Sequence, residues 1–141
     1  MPNPNTEQVG SLVLTAQCLP DPVAATAASD YDVNLENQGV DVYVVTELEV
    51  EVSQAKPGNS GLMLDRNGTV AYNDRIKHAG TYAQYAYGSW SWGVVNQRTL
   101  ARAEDLVVTA AFHRQAAATP LMPGQLVRAL SCECTVNVLV Q

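Results

Sequence analysis

Three cysteines and two histidines are the side chains with the strongest intrinsic chemistry in this sequence. Cys132 and Cys134 flank a single glutamate, so in an extended segment both thiols lie on one face. A structural zinc site needs four ligands at suitable spacings, and Cys18, His78 and His113 do not complete one with this pair. A disulfide between two cysteines of one extended strand would need distorted geometry. The pattern therefore favours cysteines packed as small apolar side chains, and it predicts no metal site and no cofactor.

The two histidines do not form a recognisable catalytic arrangement either. A catalytic histidine needs a nucleophile and an orienting acid. The sequence contains no nucleophile elbow, metalloprotease helix, phosphate-binding loop or dinucleotide fingerprint. We therefore expect no catalytic residues and a protein that is not an enzyme.

Three acidic side chains alternate along one predicted strand. Glu47, Glu49 and Glu51 fall on one face of it, with neighbours about 6.6 Å apart. Such a row favours a solvated strand face, which also protects a sheet edge from aggregation. Contact with a basic patch on a partner, or a weak calcium site, are the alternatives, although calcium takes six to eight oxygens and the EF-hand pattern is missing.

The aromatic side chains are concentrated, and six of the nine lie between residues 72 and 92. Alternation places Tyr82, Trp90 and Trp92 on one face of a strand and Tyr85 and Tyr87 on the other. One face suits a core. The other suits a contact surface, because tyrosine and tryptophan are enriched at protein interfaces. Burial of both faces, or stacking of these rings on a sugar, are the alternatives.

The elements that position these residues are predicted to be strands. Alternation of apolar and polar residues indicates strands at 11–19, 31–36, 40–52, 61–65, 69–72, 82–95, 106–115 and 125–141, with a polar loop at 73–80. Residues 23–28 and 98–105 are candidates for short helices or loops. Asn67-Gly68 predicts a hairpin turn, and the length of 40–52, about 40 Å, predicts a bend, a bulge or a switch between sheets near 45–47. The sequence predicts an all-β fold, a single-domain antiparallel β-sandwich that is jelly-roll-like and has about eight strands.

Composition limits the partners of this fold. The chain has 141 residues, which is one domain, and its net charge is −6 with no run of Lys or Arg, which argues against nucleic acid. No apolar stretch reaches the ~18 residues of a membrane span. The polar start lacks a signal-peptide pattern, so we expect synthesis in the cytoplasm. The charged fraction of 16% is below the usual ~25%, which favours a surface partly covered by another chain.

Residues 1–10 form a polar segment with two prolines, which we expect to be an N-terminal arm attached to the sandwich of residues 11–141. Such a segment is normally disordered unless it is held. We predict that Pro2, Asn3, Pro4 and Asn5 lie against a neighbouring subunit as a strap.

A short β-rich chain, low charge, aromatic strand surfaces, a held N-terminal arm and the lack of a catalytic signature together resemble the decoration or cement proteins of tailed-phage heads. The resemblance implies a structural protein on the capsid surface of the virion. It implies many copies, with trimers favoured, that bridge neighbouring subunits of the major capsid protein. Two alternatives are a subunit of a phage tail or neck, and a carbohydrate-binding β-sandwich that stacks sugars on Tyr85, Tyr87 or the pair Trp90 and Trp92.

Overall fold

The fold is a sandwich of two antiparallel sheets. A computed structural model describes residues 3–19, 29–52, 62–96, 102–115 and 130–140, and ten strands lie within these ranges. They are β1 (Asn5–Val9), β2 (Leu12–Leu19), β3 (Ser29–Asn37), β4 (Val42–Val52), β5 (Leu62–Arg66), β6 (Thr69–Ala71), β7 (Asn73–Tyr82), β8 (Tyr87–Asn96), β9 (Arg102–Gln115) and β10 (Leu130–Val140).

The first sheet has the order β1-β2-β3-β8-β5-β6, and the second has the order β10-β9-β4-β7. Every described pairing within them is antiparallel. The predicted fold class, an all-β antiparallel sandwich, is therefore confirmed. No helix in the described ranges is both long enough and apolar enough to cross a bilayer.

The core lies between the two sheets and is supplied by alternate residues of each long strand. In β2, for example, Leu12, Leu14, Ala16 and Cys18 are fully buried, and the residues between them are half-buried. Opposite, β9 contributes its even-numbered residues from 106 to 112. This alternation of period two fixes the register, because a slip by one residue would turn each apolar set toward water.

The strand β4 contains the predicted irregularity. Its pairing with both β7 and β9 shifts register between Val45 and Glu47, so Thr46 is an extra residue. Before the bulge, Tyr43 and Val45 face the core, and after it the even-numbered residues from 48 to 52 do so. The bulge was predicted correctly. In the sequence the even-numbered residues of 40–52 are apolar apart from Thr46, which predicts one continuous apolar face. That prediction was wrong for the first half of the strand, because an extra residue exchanges the two faces.

The predicted strand at 82–95 was wrong in its extent. Tyr82 is the last residue of β7 in the second sheet, and Tyr87 is the first residue of β8 in the other sheet. The predicted polar loop at 73–80 is part of β7, an edge strand. An edge strand pairs on one side only, so it tolerates a polar sequence without a clear apolar face.

The structure also differs from the prediction near the N-terminus and at the start of β9. Asn5–Val9 pairs with β2 as an edge strand of the first sheet. The candidate helix at 98–105 was wrong where it can be compared, since β9 begins at Arg102. Residues 98–101, the candidate helix at 23–28, residues 125–129 of the last predicted strand and Pro2 lie outside the described residues.

Candidate functional site: a rigid end carrying two exposed tyrosines

One end of the sandwich is built from three connections that are joined by hydrogen bonds. They are the turn Gly10–Ser11, the loop 37–41 and the turn 83–86, and with Tyr87 we call this end the apex. The backbone N–H of Gln38 donates to the carbonyl of Ser11 over 2.9 Å. The N–H of Asn37 donates to the carbonyl of Ala86 over 3.1 Å, and the N–H of Tyr85 donates to the carbonyl of Asn37 over 2.7 Å. The three connections are thus one hydrogen-bonded unit.

Asn37 is the centre of the apex, and its side chain is fully buried. Its amide nitrogen donates to the carbonyls of Asp41 and Tyr82 over 2.6 and 3.0 Å. Its amide oxygen accepts from the N–H of Gly39 over 3.0 Å and from the hydroxyl of Ser11 over 2.7 Å. Because a buried amide with four partners has no freedom to reorient, Asn37 fixes all three connections.

The turn at 83–86 holds Tyr85 in an unusual backbone conformation. Its φ is 67°, in the left-handed region that bulky residues rarely adopt. The side chain is 74% exposed, so packing of the ring within this chain does not explain the conformation. The hydrogen bond from Tyr85 to Asn37, and the bond from Ala86 N–H to the carbonyl of Ala83 over 3.0 Å, hold the backbone there. The fold therefore presents this ring to solvent at an energetic cost.

Two further side chains with large apolar parts are exposed at the apex. Tyr87 is 60% exposed at the start of β8, and Val40 is 61% exposed in the loop 37–41. The hydroxyl of Tyr87 donates to Oδ1 of Asn34 over 2.8 Å, and the hydroxyl of Ser89 donates to the same oxygen over 2.9 Å. Tyr87 is therefore oriented by its neighbours on the outer face of the first sheet, and its ring is held for contact.

The structure supports the predicted outward direction of Tyr85 and Tyr87, and Tyr82 and Trp92 are buried as predicted. The pair Trp90 and Trp92 is not a stacking platform, which corrects that part of the sugar-binding alternative. Trp92 is 1% exposed and Trp90 is half-buried against the core. Within the described residues, then, Tyr85 and Tyr87 are the aromatic pair on the surface at this end.

The predicted strap residues make contacts within their own chain. The amide of Asn3 donates to the carbonyl of Cys18 over 2.7 Å and accepts from the N–H of Cys18 over 2.9 Å. The amide of Asn5 donates to the carbonyl of Thr135 over 2.9 Å. Pro4 is exposed, and Pro2 lies outside the described residues. The attachment of this segment to a neighbouring subunit stays a prediction.

The acidic row of β4 lies on the outer face of the second sheet and is partly neutralised. Arg75 of β7 lies 3.6 Å from a carboxylate oxygen of Glu47 and 3.4 Å from one of Glu49. Both pairs are exposed to solvent, so they contribute little stability. In the described part of the chain, no group of three or more His, Cys, Asp or Glu side chains is placed to hold a metal ion.

The three cysteines are buried free thiols, as the sequence favoured. Burial raises the pKa of Cys132 to about 11, and the carboxylate of Glu7 adds to the shift. Burial likewise raises the pKa of Cys134 to about 11. The Sγ of Cys134 donates to the carbonyl of Asn5 over 3.2 Å. The thiols of Cys132 and Cys134 are therefore protonated at neutral pH and unsuited to nucleophilic chemistry.

Comparisons with known proteins find similarity in fold only. No family model matches the chain, and no curated protein matches its sequence. The crystal structure of BslA, a bacterial hydrophobin, aligns with a TM-score of 0.48 and 13% identity, covering 95% of this chain and 98% of that one. AvmM, which catalyses macrocyclization in alchivemycin A biosynthesis, aligns with a TM-score of 0.42 and 8% identity, covering 89% and 88%. At these values neither similarity indicates the function of this chain.

Proposed function

We propose that this protein is a non-enzymatic structural protein that decorates the capsid of a phage, docking through the apex with Tyr85 and Tyr87 as the contact residues. The observation that supports the proposal most is the left-handed backbone of Tyr85 beneath a ring that is 74% exposed. A bulky residue in this region costs of order 1–3 kcal/mol, and such strain persists at functional sites where the surroundings impose it. Contact of the exposed ring with a partner would offset this strain, whereas a ring that faces only solvent would not.

The rigidity of the apex favours docking to a protein surface. Association is weakened by the entropy lost when loops and side chains become ordered. Here Asn37 has already ordered the loop 37–41 and the turn 83–86, and Asn34 holds the hydroxyl of Tyr87. Tyrosine adds a large contact area with few rotatable bonds and keeps a polar group for hydrogen bonding.

The apex offers its partner an apolar surface, with the carboxylate of Glu36 beside it opposite Tyr87 in the pairing of β3 with β8. The carboxylate of Asp41 is 3.8 Å from the guanidinium of Arg114, which offsets its charge. Contact through Val40, Tyr85 and Tyr87 is therefore apolar at its centre. On this account salt weakens docking little, because screening acts mainly on exposed charges.

The resemblance to decoration proteins supplies the partner in this proposal, which is the major capsid protein of the same virus. Copies on the capsid surface, grouped as trimers, bridge neighbouring shell subunits, and repetition around the shell raises the apparent affinity. In this proposal the strap of residues 2–5 adds a second contact with a neighbouring subunit, beside the bonds that Asn3 and Asn5 make within the chain.

The test is a cosedimentation titration of the protein with shells assembled from that capsid protein. Truncation of a central aromatic contact weakens binding by about 30-fold or more, which corresponds to about 2 kcal/mol. We expect that loss for Tyr85→Gly and for Tyr87→Ala. Tyr85→Gly suits the left-handed backbone, so its free energy of unfolding should equal the wild-type value or exceed it by up to about 1 kcal/mol.

The chain offers a matched control at its other end. Tyr72 is also an exposed tyrosine, and its carbonyl accepts from the N–H of Val52, at the end of β4 opposite the apex. Tyr72→Ala should bind shells like the wild type. Equal binding by Tyr85→Gly and Tyr87→Ala would remove the apex as the docking site. If labelled protein binds the neck or tail of intact particles and does not bind their heads, the result would instead favour the tail or neck alternative.

A further inference from the structure

A cleft of about 230 Å³ opens on the opposite side of the molecule from the apex. It lies where β6 and β7, the edge strands of the two sheets, follow one another in the chain. Asp74 in the cleft and Tyr82 at the apex are eight residues apart along β7, which is roughly 26 Å of strand. Its lining consists of Leu64, Arg66, Asn67, Thr69, Ala71, Asn73, Asp74 and Trp92.

A network of hydrogen bonds organises the cleft around Asp74. Its Oδ2 accepts from Nε1 of Trp92 over 2.9 Å and from Nε of Arg66 over 2.8 Å. Its Oδ1 accepts from the backbone N–H of Arg75 over 2.8 Å. Asp74 thus holds both the indole and the guanidinium in fixed positions. The side chain of Arg66 is 42% exposed, and its guanidinium has five N–H donors, more than the carboxylate of Asp74 can take.

The charge and polarity of the lining define the class of ligand. The positive charge of Arg66 and the negative charge of Asp74 cancel, so the cleft exerts no net electrostatic attraction on a phosphate or a carboxylate. Asn67, Thr69 and Asn73 add side chains that can both donate and accept hydrogen bonds. The half-buried side chain of Ala71 supplies an apolar part, while Leu64 and Trp92 are almost completely buried there. A neutral molecule with several hydroxyls and one apolar face matches this set.

The size of the cleft sets a second limit. Pockets for drug-sized ligands measure about 300–1,000 Å³, so this cleft suits a smaller guest. A single sugar ring has this scale, and it has hydroxyls on its rim and C–H groups on its faces.

We propose that this cleft binds one neutral monosaccharide unit, either free or at the end of a glycan. Arg66, Asn67, Thr69 and Asn73 hydrogen-bond its hydroxyls, and the side chain of Ala71 contacts a face of its ring. The site is independent of docking through the apex, since it shares no residue with it. It also relocates the sugar-binding alternative, which the sequence had placed on Tyr85, Tyr87 and the two tryptophans.

The test is saturation-transfer NMR of the full chain with neutral hexoses, N-acetylhexosamines and deoxyhexoses, and with glucuronic acid as a charged comparison. At least one neutral sugar should give a saturable signal. Thr69→Val keeps the β-branched shape and removes the hydroxyl, so it should lower the affinity for that sugar by roughly threefold to tenfold. Ala71→Phe fills the cleft and should abolish the signal, and melting curves check that both variants fold.

The control variant for this site is Tyr85→Gly, which should bind the sugar normally while it loses docking to shells. Thr69→Val should show the reverse. The proposal is overturned if no neutral sugar gives a signal, if glucuronic acid alone binds, or if the signal survives both cleft variants. None of these results bears on docking through the apex, so the two proposals fail separately.

Discussion

Asn37 is the residue on which the geometry of the apex depends most. Its four side-chain hydrogen bonds reach the chain at Ser11, Gly39, Asp41 and Tyr82, which lie in or directly beside three different connections. Asn37-Gln38-Gly39 has the composition of a turn, and the structure has a loop there. The long-range role was not visible, because a turn asparagine and a buried asparagine with four partners look alike in a sequence.

We expect Asn37→Asp to destabilise the protein at pH 7. A carboxylate would face the two carbonyl oxygens that the amide now donates to, and each unsatisfied buried group costs about 1–3 kcal/mol. Urea unfolding should show a loss of about 3 kcal/mol or more. The matched change in the same strand is Asn34→Asp, whose Oδ1 accepts from two hydroxyls and suits a carboxylate. The free energy of unfolding of Asn34→Asp should fall by less than about 1 kcal/mol. Equal losses in the two variants would contradict the role given to Asn37.

The cysteines give a second prediction at the residue scale, based on their burial. Because the pKa values of Cys132 and Cys134 are raised to about 11, both thiols remain protonated through pH 9 in the native state. A disulfide reagent at pH 8 should label neither one in the folded protein and should label both in urea. Rapid labelling without denaturant would show that these strands open, and would contradict the packing described for β10.

At the scale of the element, two features of the sequence decided what could be predicted. The bulge in β4 was predictable because a strand of that length must bend, and Asn67-Gly68 predicted the β5–β6 hairpin, with φ values of 55° and 88°. The turn 83–86 was not predictable. Its residues, Ala-Gln-Tyr-Ala, include no glycine, proline or asparagine, and the hydrogen bonds to Asn37 that hold it are made across the fold.

The turns at Gly10 and Gly68 provide a matched prediction at this scale. Both glycines have positive φ, 58° and 88°. A Cβ at Gly10 would collide with the hydroxyl of Tyr43, whereas a Cβ at Gly68 would meet nothing within 4 Å. Both Ala variants therefore carry backbone strain of about 1 kcal/mol, and Gly10→Ala carries a steric penalty in addition. Urea unfolding should show the larger loss for Gly10→Ala, and equal losses would contradict the close packing of Tyr43 beneath the apex.

At the scale of the whole molecule, alternation of period two was enough to predict a two-sheet antiparallel sandwich. Alternation reports which residues face a core, and it does not report which strands are neighbours. For that reason the sequence indicated the exposure of Tyr85 and Tyr87, yet it missed their place on a hydrogen-bonded end. It missed the cleft entirely, because Asp74 lay in a predicted loop and met Arg66 and Trp92 only through the fold.

The measurement that tests the central claim most directly is hydrogen exchange of the protein alone and bound to capsid shells. The account predicts that binding slows exchange mainly at backbone amides of 38–41 and 83–87, while amides of 66–74 around the cleft exchange as they do in the free protein. Protection confined to the cleft or to the outer face of the second sheet, with unchanged exchange at the apex, would contradict docking through Tyr85 and Tyr87.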